Sequence, residues 1–227
     1  ELEGEPNERI PFGREFTREQ IERALASENP WEVVPSGDRN GHGTRCAATA
    51  AGDRIEKESF SGAAPESELV IVRLKQAKMY LRDFYLLPQG ADIFQEDDIM
   101  LALSYVLRVA QEQQMPLSIC IGLGTSMGAH RGEGPLNEYI NSIAAFTQNA
   151  VSVAAGNEGT ARHHYLKELN QSVREDTVEL RIGEKENTRG FMMEFWGDSP
   201  GSYYMMIQSP TGEQLSVSTS LKNSTQE

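Results

Sequence analysis

Apolar residues along the chain fall into two alternating forms, short continuous runs and longer amphipathic stretches. The continuous runs span residues 69–74, 117–123 and 150–155, and turn-forming residues bound each of them. Runs with little polar alternation are typical of strands that are covered on both faces, as in a parallel sheet. We therefore predict three strands here.

Amphipathic helices are predicted between these strands. One covers 97–113, and the other begins at Pro135, a residue suited to the first turn of a helix. An earlier helix over 17–26 carries the capping-box residues Thr17 and Gln20. The alternation of strand and helix predicts an α/β fold with a doubly wound parallel sheet and helices on both faces.

The pattern changes at about residue 176, where short apolar runs become separated by Gly, Asn, Asp and Pro turns. This spacing is typical of antiparallel strands. We expect two units, an α/β unit over 1–170 and a β-rich module over 171–227, with an insertion over 76–97 inside the first. The runs of the second unit are 178–182, 191–196, 203–207 and 214–217.

Composition narrows the classes of partner. The 227 residues include 34 acidic and 21 basic side chains, which gives a net charge of -13 and makes nucleic acid and anionic membranes poor partners. No apolar run approaches the roughly 20 residues of a spanning helix, so we expect a soluble chain. Cys46 and Cys120 lack zinc spacing and are expected to be buried free thiols; no metal or cofactor is predicted.

A histidine flanked by glycines is the first candidate for chemistry. His42 lies in the segment 38–44, Asp-Arg-Asn-Gly-His-Gly-Thr, at the predicted start of a helix of small residues. The glycines leave room for a substrate backbone beside the imidazole. Taken alone, a histidine at such a junction is more often structural.

An asparagine at the end of a predicted strand is the second candidate. Asn157 follows the run 150–155 in the sequence Ala-Ala-Gly-Asn-Glu-Gly. Its carboxamide could donate a hydrogen bond to a carbonyl oxygen that is gaining negative charge. A simple turn asparagine between glycines is the alternative.

The two segments together resemble a known family. Gly-His-Gly-Thr with small residues after it, followed later by Ala-Ala-Gly-Asn-Glu-Gly, resembles the histidine and oxyanion segments of the subtilases, and Ile-Cys-Ile-Gly-Leu-Gly at 119–124 resembles their substrate strand. The resemblance implies that His42 is the general base and Asn157 the oxyanion donor. It implies substrate contacts at Gly122, which replaces the usual serine, and at Leu123, Gly124, Ala154, Ala155 and Gly156.

Further segments are similar to the clostridial Csp-type germination proteases. They are 12–17, 80–85, 124–130 and 157–165. In that group a jelly-roll-like module interrupts the catalytic domain after the oxyanion asparagine, where the β pattern begins here. The resemblance implies a protein or peptide substrate, with a spore cortex hydrolase precursor as one possibility by analogy. It leaves a spore-associated and an extracellular location open.

Two triad segments of the family have no counterpart. No strand with Asp-Gly precedes Glu15, and Asp38 is too close to His42 in the loop to lie under its imidazole. The Thr125-Ser126 pair is followed by Met127 instead of a small residue and proline. We therefore expect a fragment that is inactive alone.

Three interpretations of the parent protein follow. An active serine endopeptidase is favoured by the intact His42 and Asn157. A pseudoprotease that uses its cleft for binding is the alternative, and a β-rich binding module is the weakest of the three. Arg45 is expected to face solvent, His130 to lie on a surface loop near the cleft, and the pair at 163–164 not to bind metal.

Overall fold

The computed structural model describes residues 11–88, 90–182 and 190–218. The ends of both expected units, 1–10 and 219–227, lie outside these ranges, and the unit boundary near 170 stays a prediction. Six α-helices occur in the described part of the chain. They are α1 (Arg18–Leu25), α2 (Pro30–Val33), α3 (His42–Ala51), α4 (Met79–Phe84), α5 (Glu96–Gln113) and α6 (Pro135–Ala144), with a short 3-10 turn at Glu56–Glu58.

A two-stranded parallel sheet connects the helices. Strand β1 (Leu117–Ile121) pairs with β2 (Asn149–Val153), with Leu117 beside Asn149 and Ile121 beside Val153. Because the register is in step, both strands reach their carboxyl ends at the same level. The predicted α/β fold with a parallel sheet is confirmed.

The core is built where α5 and α6 cover one face of β1. Ile99 and Leu103 of α5 meet Ile119 of β1 and Ile143 of α6, and all four are buried. Burial of such apolar side chains is the main favourable term in folding. The helices predicted over 97–113 and from Pro135 are confirmed, and each places its apolar stripe on this core.

The opposite face of β1 differs from the prediction that strands are covered on both faces. Ser118 and Cys120 alternate with the core-facing residues, and both are exposed. The expectation of two buried thiols is therefore wrong for Cys120, while Cys46 is half-buried, and both cysteines are free. Side chains alternate across a strand, so cover on one face leaves the other face to solvent.

The strand predicted over 69–74 does not form. These residues run without pairing to any strand in the described part of the chain, and Leu69 and Ile71 are exposed. A strand is stabilised by the hydrogen bonds and cross-strand contacts of a neighbour, which hydrophobicity alone does not supply. Leu74 at its end still packs against the core.

The described residues of the predicted β-rich module contain one antiparallel hairpin. Strand β3 (Tyr204–Gln208) pairs with β4 (Gln214–Ser218), as the sequence pattern predicted. The segments 178–182 and 191–196 are not strands, and their apolar side chains, Val178, Leu180, Ile182, Phe191 and Trp196 among them, are exposed. Without a covered face, their hydrophobic residues do not fix a register.

The insertion before α5 is tied back on itself. The Ala77 N–H donates to the Ile93 carbonyl at 2.7 Å, and the Lys78 N–H donates to the Gln95 side chain at 3.0 Å. These bonds bring the two ends of the insertion side by side.

None of the helices in the described residues has the length and hydrophobicity needed to cross a bilayer.

Candidate active site

His42 is the first residue of α3, and the loop before it sets its position. Gly41 adopts a left-handed conformation, with a φ of 76°, that favours glycine. The first N–H groups of a helix lack acceptors within the helix. The Asn40 side-chain oxygen supplies one by accepting the His42 N–H at 2.8 Å, so the backbone of His42 is held by its own loop.

Asp38 holds the same loop from the other side. One carboxylate oxygen accepts the N–H and the hydroxyl of Thr44, at 2.8 and 2.9 Å, and the other accepts the N–H groups of Asn40 and Gly41. These bonds, the Thr44 N–H first among them, lower the pKa of Asp38 from 3.8 to about 2. Asp38 is thus a cap for α3 that remains ionised at neutral pH.

The imidazole of His42 reaches the end of β1. Its Nε2 lies 2.8 Å from the carbonyl oxygen of Gly122, which directly follows the strand. Because a carbonyl oxygen only accepts, we assign the proton to Nε2 in this arrangement. Before Nε2 can accept a proton from a nucleophile, the imidazole has to turn from Gly122 and adopt the tautomer that carries its proton on Nδ1.

The small size of Gly122 permits this approach. A Cβ atom at residue 122 would lie 3.3 Å from His42 Nε2 and 3.3 Å from Cys46 Sγ. Cys46 lies one helical turn after His42, with its Sγ 3.7 Å from Nε2. The glycine at residue 122 therefore makes room for both side chains.

The predicted substrate-binding residues form two neighbouring segments at the carboxyl ends of the strands. Gly122, Leu123 and Gly124 follow β1, and Ala154, Ala155 and Gly156 follow β2. The Ala154 N–H donates to the Ile121 carbonyl at 3.0 Å, and a Cβ at Gly124 would lie 3.4 Å from the Ala154 oxygen. Ligands in open α/β sheets bind at this edge.

Asn157 continues the second segment. It follows Gly156, whose φ of 85° turns the chain at the end of β2. The Asn157 side chain is exposed and makes no hydrogen bond to the residues that the structure describes. Its N–H groups are thus free to donate to a ligand, although no hydrogen bond joins Asn157 to His42.

The loop after the substrate segment is bonded to the residues near the hairpin. The Gly128 N–H donates to Glu194 at 2.7 Å, and Arg131 pairs with Asp198 at 2.6 Å. The indole of Trp196 also donates to Glu194; this bond, and then the Gly128 N–H, lower the pKa of the Glu194 carboxyl. The contacts place residues 194–198 beside the loop that contains His130.

The remaining histidines have separate partners. His163 Nδ1 lies 3.0 Å from a Glu158 oxygen, whereas the ring of His164 packs against that of His130 at 4.4 Å. In the part of the chain that the structure describes, no group of three or more His, Cys, Asp or Glu residues could hold a metal ion. The adjacent histidines therefore face different surroundings.

Some residues near the site were not found from the sequence. Asn40 precedes Gly-His, and an asparagine two residues before an unpaired N–H is a known turn signal that could have indicated its role. Asp92 accepts a hydrogen bond from Asn40 across 52 residues, and Glu194 contacts Gly128 across 66. Contacts at that separation leave no local pattern.

The chain is similar to a known protein family and to a solved structure. The model of the subtilase family matches residues 16–180. The solved structure of the Clostridium perfringens CspB protease is similar, with 28% identity and a TM-score of 0.54 over 64% of this chain and 29% of that chain. No match was found among curated proteins. The family match covers most of the chain, which therefore belongs to the subtilase family.

Proposed function

We propose that this chain is part of a serine endopeptidase that cleaves protein substrates through an acyl-enzyme. The observation that carries the proposal is the contact between His42 Nε2 and the Gly122 carbonyl, 2.8 Å apart at the edge where the sheet ends. It sets an exposed imidazole beside a backbone segment that can bind a peptide. The family membership supplies the reaction class.

His42 is the general base in this proposal. As the serine oxygen bonds to the substrate carbonyl carbon, His42 Nε2 takes the hydroxyl proton, and the π electrons of the carbonyl move to its oxygen. Collapse of this intermediate breaks the bond to the amine, which leaves with the proton from His42. Water then repeats the sequence on the acyl-enzyme, with His42 again as base and then as acid.

Asn157 is the donor to the oxyanion. The negative charge forms on the former carbonyl oxygen, and a neutral donor stabilises it without the desolvation cost of a cation. The exposed carboxamide of Asn157, next to the turn at Gly156, supports this role.

The substrate would bind as an extended strand. Residues 122–124 and 154–156 offer two backbone segments side by side, and main-chain hydrogen bonds to them would provide affinity that is largely independent of sequence. The glycines in both segments allow close approach of the peptide. Side-chain preference would then be set by the loops around them.

The chain spans 29% of the length of the CspB chain that it matches. We propose that the nucleophilic serine and the triad aspartate are supplied by other segments of the parent protein, so that this segment alone does not hydrolyse peptides. The resemblance to Csp-type proteases further suggests a spore cortex hydrolase precursor as the substrate, and a jelly-roll-like module over 171–227.

Covalent labelling tests the proposal. The full-length protein should react with a fluorophosphonate, and His42→Ala should abolish that labelling because the serine loses its base. His163→Ala, at an exposed histidine bonded to Glu158, is the matched control and should be labelled normally. A folded full-length protein that takes no label would overturn the peptidase and favour a binding protein of the Csp type.

A further inference from the structure

A carboxylate in the insertion bridges two side-chain amides. Asp92 Oδ2 accepts from Asn40 Nδ2 at 3.2 Å, and Asp92 Oδ1 accepts from Gln76 Nε2 at 2.7 Å. An ionised carboxylate only accepts, so both amide groups must present their N–H sides to it. This requirement fixes the orientation of the Asn40 amide.

The fixed amide then holds the candidate base. With Nδ2 turned to Asp92, the Oδ1 of Asn40 faces the other way and accepts the His42 N–H at 2.8 Å. Asp92 is therefore joined to the backbone of His42 through one intervening side chain. No intrahelical acceptor is available to that N–H, because it lies in the first turn of α3.

Asp92 is itself held on both sides. The Ile93 N–H donates to Gln76 Oε1 at 3.0 Å, and the Ala91 carbonyl accepts from the Arg82 guanidinium at 2.8 Å. The Ala77 N–H also donates to the Ile93 carbonyl. The backbone around Asp92 is thus tied to both α4 and the start of the insertion, which makes it a firm support for Asn40.

We propose that Asp92 is a positioning residue for His42 and acts through Asn40, so that the insertion over 76–97 braces the catalytic base. This inference rests on the proposed function. Asp92 contacts no reacting atom; its effect is on the orientation of the loop from which the imidazole projects. Small displacements of a catalytic group are costly, with a loss of roughly 10²-fold for about 1 Å.

An exchange of the two side chains provides a sharp test. In Asp92→Asn, the new amide oxygen can accept from Gln76 Nε2 only if the new N–H groups point toward Asn40. Two donors then face each other, and the bond to Asn40 Nδ2 is lost. In Asn40→Asp, two carboxylates face each other. The double variant Asn40→Asp with Asp92→Asn keeps the net charge and gives each donor an acceptor again. The carboxylate at residue 40 accepts from the amide at residue 92 and from the His42 N–H, while the amide oxygen at residue 92 accepts from Gln76.

Two measurements separate this proposal from the proposed function. The first is the rate of fluorophosphonate labelling of the full-length protein, and the second is hydrogen exchange of the His42 amide after 15N-histidine labelling. We expect each single variant to slow labelling by about three- to tenfold, the effect of losing roughly one net hydrogen bond. His42 amide exchange should accelerate in parallel.

The double variant should return both rates toward those of the wild type. Asp53→Asn, which changes an exposed carboxylate after the other end of α3, is the control and should alter neither rate. Thermal unfolding of each variant would show that it is folded. Unchanged His42 exchange in both single variants, or a double variant no better than they are, would overturn the bracing role. If the wild-type protein does not react with the fluorophosphonate, that result would count against the proposed function alone. The exchange rates of the His42 amide would still decide whether Asp92 positions His42.

Discussion

His42 Nε2 and the Gly122 carbonyl oxygen are 2.8 Å apart, although 80 residues separate them in the sequence. The contact joins the start of α3 to the end of β1, and so connects the histidine segment to the substrate segment. Hydrophobic packing of α5 and α6 on β1 determines where Gly122 lies. The position of His42, the proposed base, relative to the end of β1 therefore depends on the core as well as on the local loop.

Substitution of Gly122→Ala should displace the imidazole. The added Cβ would lie 3.3 Å from both His42 Nε2 and Cys46 Sγ, which is closer than most Cβ contacts. We expect fluorophosphonate labelling of the full-length protein to slow by about three- to tenfold, since a fraction of an ångström is lost in alignment. Addition of Cys46→Ala should recover part of the rate by giving the ring space. Labelling of Gly122→Ala at the wild-type rate would contradict the close contact.

Substitution of Asp38→Asn should destabilise the protein in a pH-dependent way. The folded-state pKa of Asp38, about 2, lies below its ordinary value of 3.8, so its contribution is complete above 3.8 and is lost as the pH falls toward 2. The variant should melt at a lower temperature than the wild type at neutral pH. The gap between the two melting temperatures should narrow between those pH values in a thermal scan series. A gap that is constant over that range would exclude the carboxylate as the cause.

Substitution of Asn157→Ala should lower kcat with little change in KM, because the donor acts on charge that exists only in the transition state. Loss of such a donor in subtilisin costs roughly 10²- to 10³-fold in kcat, and we adopt that magnitude here. Steady-state peptide hydrolysis by the full-length protein is the measurement. An increase in KM with kcat unchanged would instead assign Asn157 to binding of the substrate in its ground state.

The Ile143→Ala substitution should lower the free energy of unfolding by more than a substitution at an exposed position of the same helix. Ile143 is 1% exposed where α6 meets α5 and β1, and a buried isoleucine cut to alanine costs about 2 to 5 kcal/mol. Phe146→Ala, at a side chain that is 68% exposed three residues later, should change the free energy of unfolding by about 0.5 kcal/mol or less. Urea unfolding of both variants would test the difference. Equal losses would mean that α6 is oriented differently.

The sequence predicted elements well wherever local features decide them. The capping box at Thr17 is present, with Gln20 accepting the Thr17 N–H at 2.8 Å, and the amphipathic spacing of α5 places Leu103 in the core. The run at 69–74 has the same hydrophobic character as β1 and still forms no strand, because strand formation depends on a partner elsewhere in the chain. Hydrophobicity marks such a run without showing what covers it.

The candidate site was predictable to a similar extent. His42 and the segments after β1 and β2 were found from their motifs, and the parallel register explains why the two segments lie together. The contacts of Asn40, Asp92 and Glu194 were not predicted because they join residues that meet only after folding. The joined residues are 52 and 66 positions apart, and contacts at such separations follow no helical or strand periodicity in the sequence.

The bond from the Gly128 N–H to Glu194 spans 66 residues. During synthesis on a ribosome, Gly128 is added about 3 to 13 seconds before its acceptor Glu194, at roughly 5 to 20 residues per second. In that interval the loop lacks its anchor, while β1 and β2 can already pair. The attachment of the Gly128 loop is thus completed late in translation, after both strands of the parallel sheet have been synthesised.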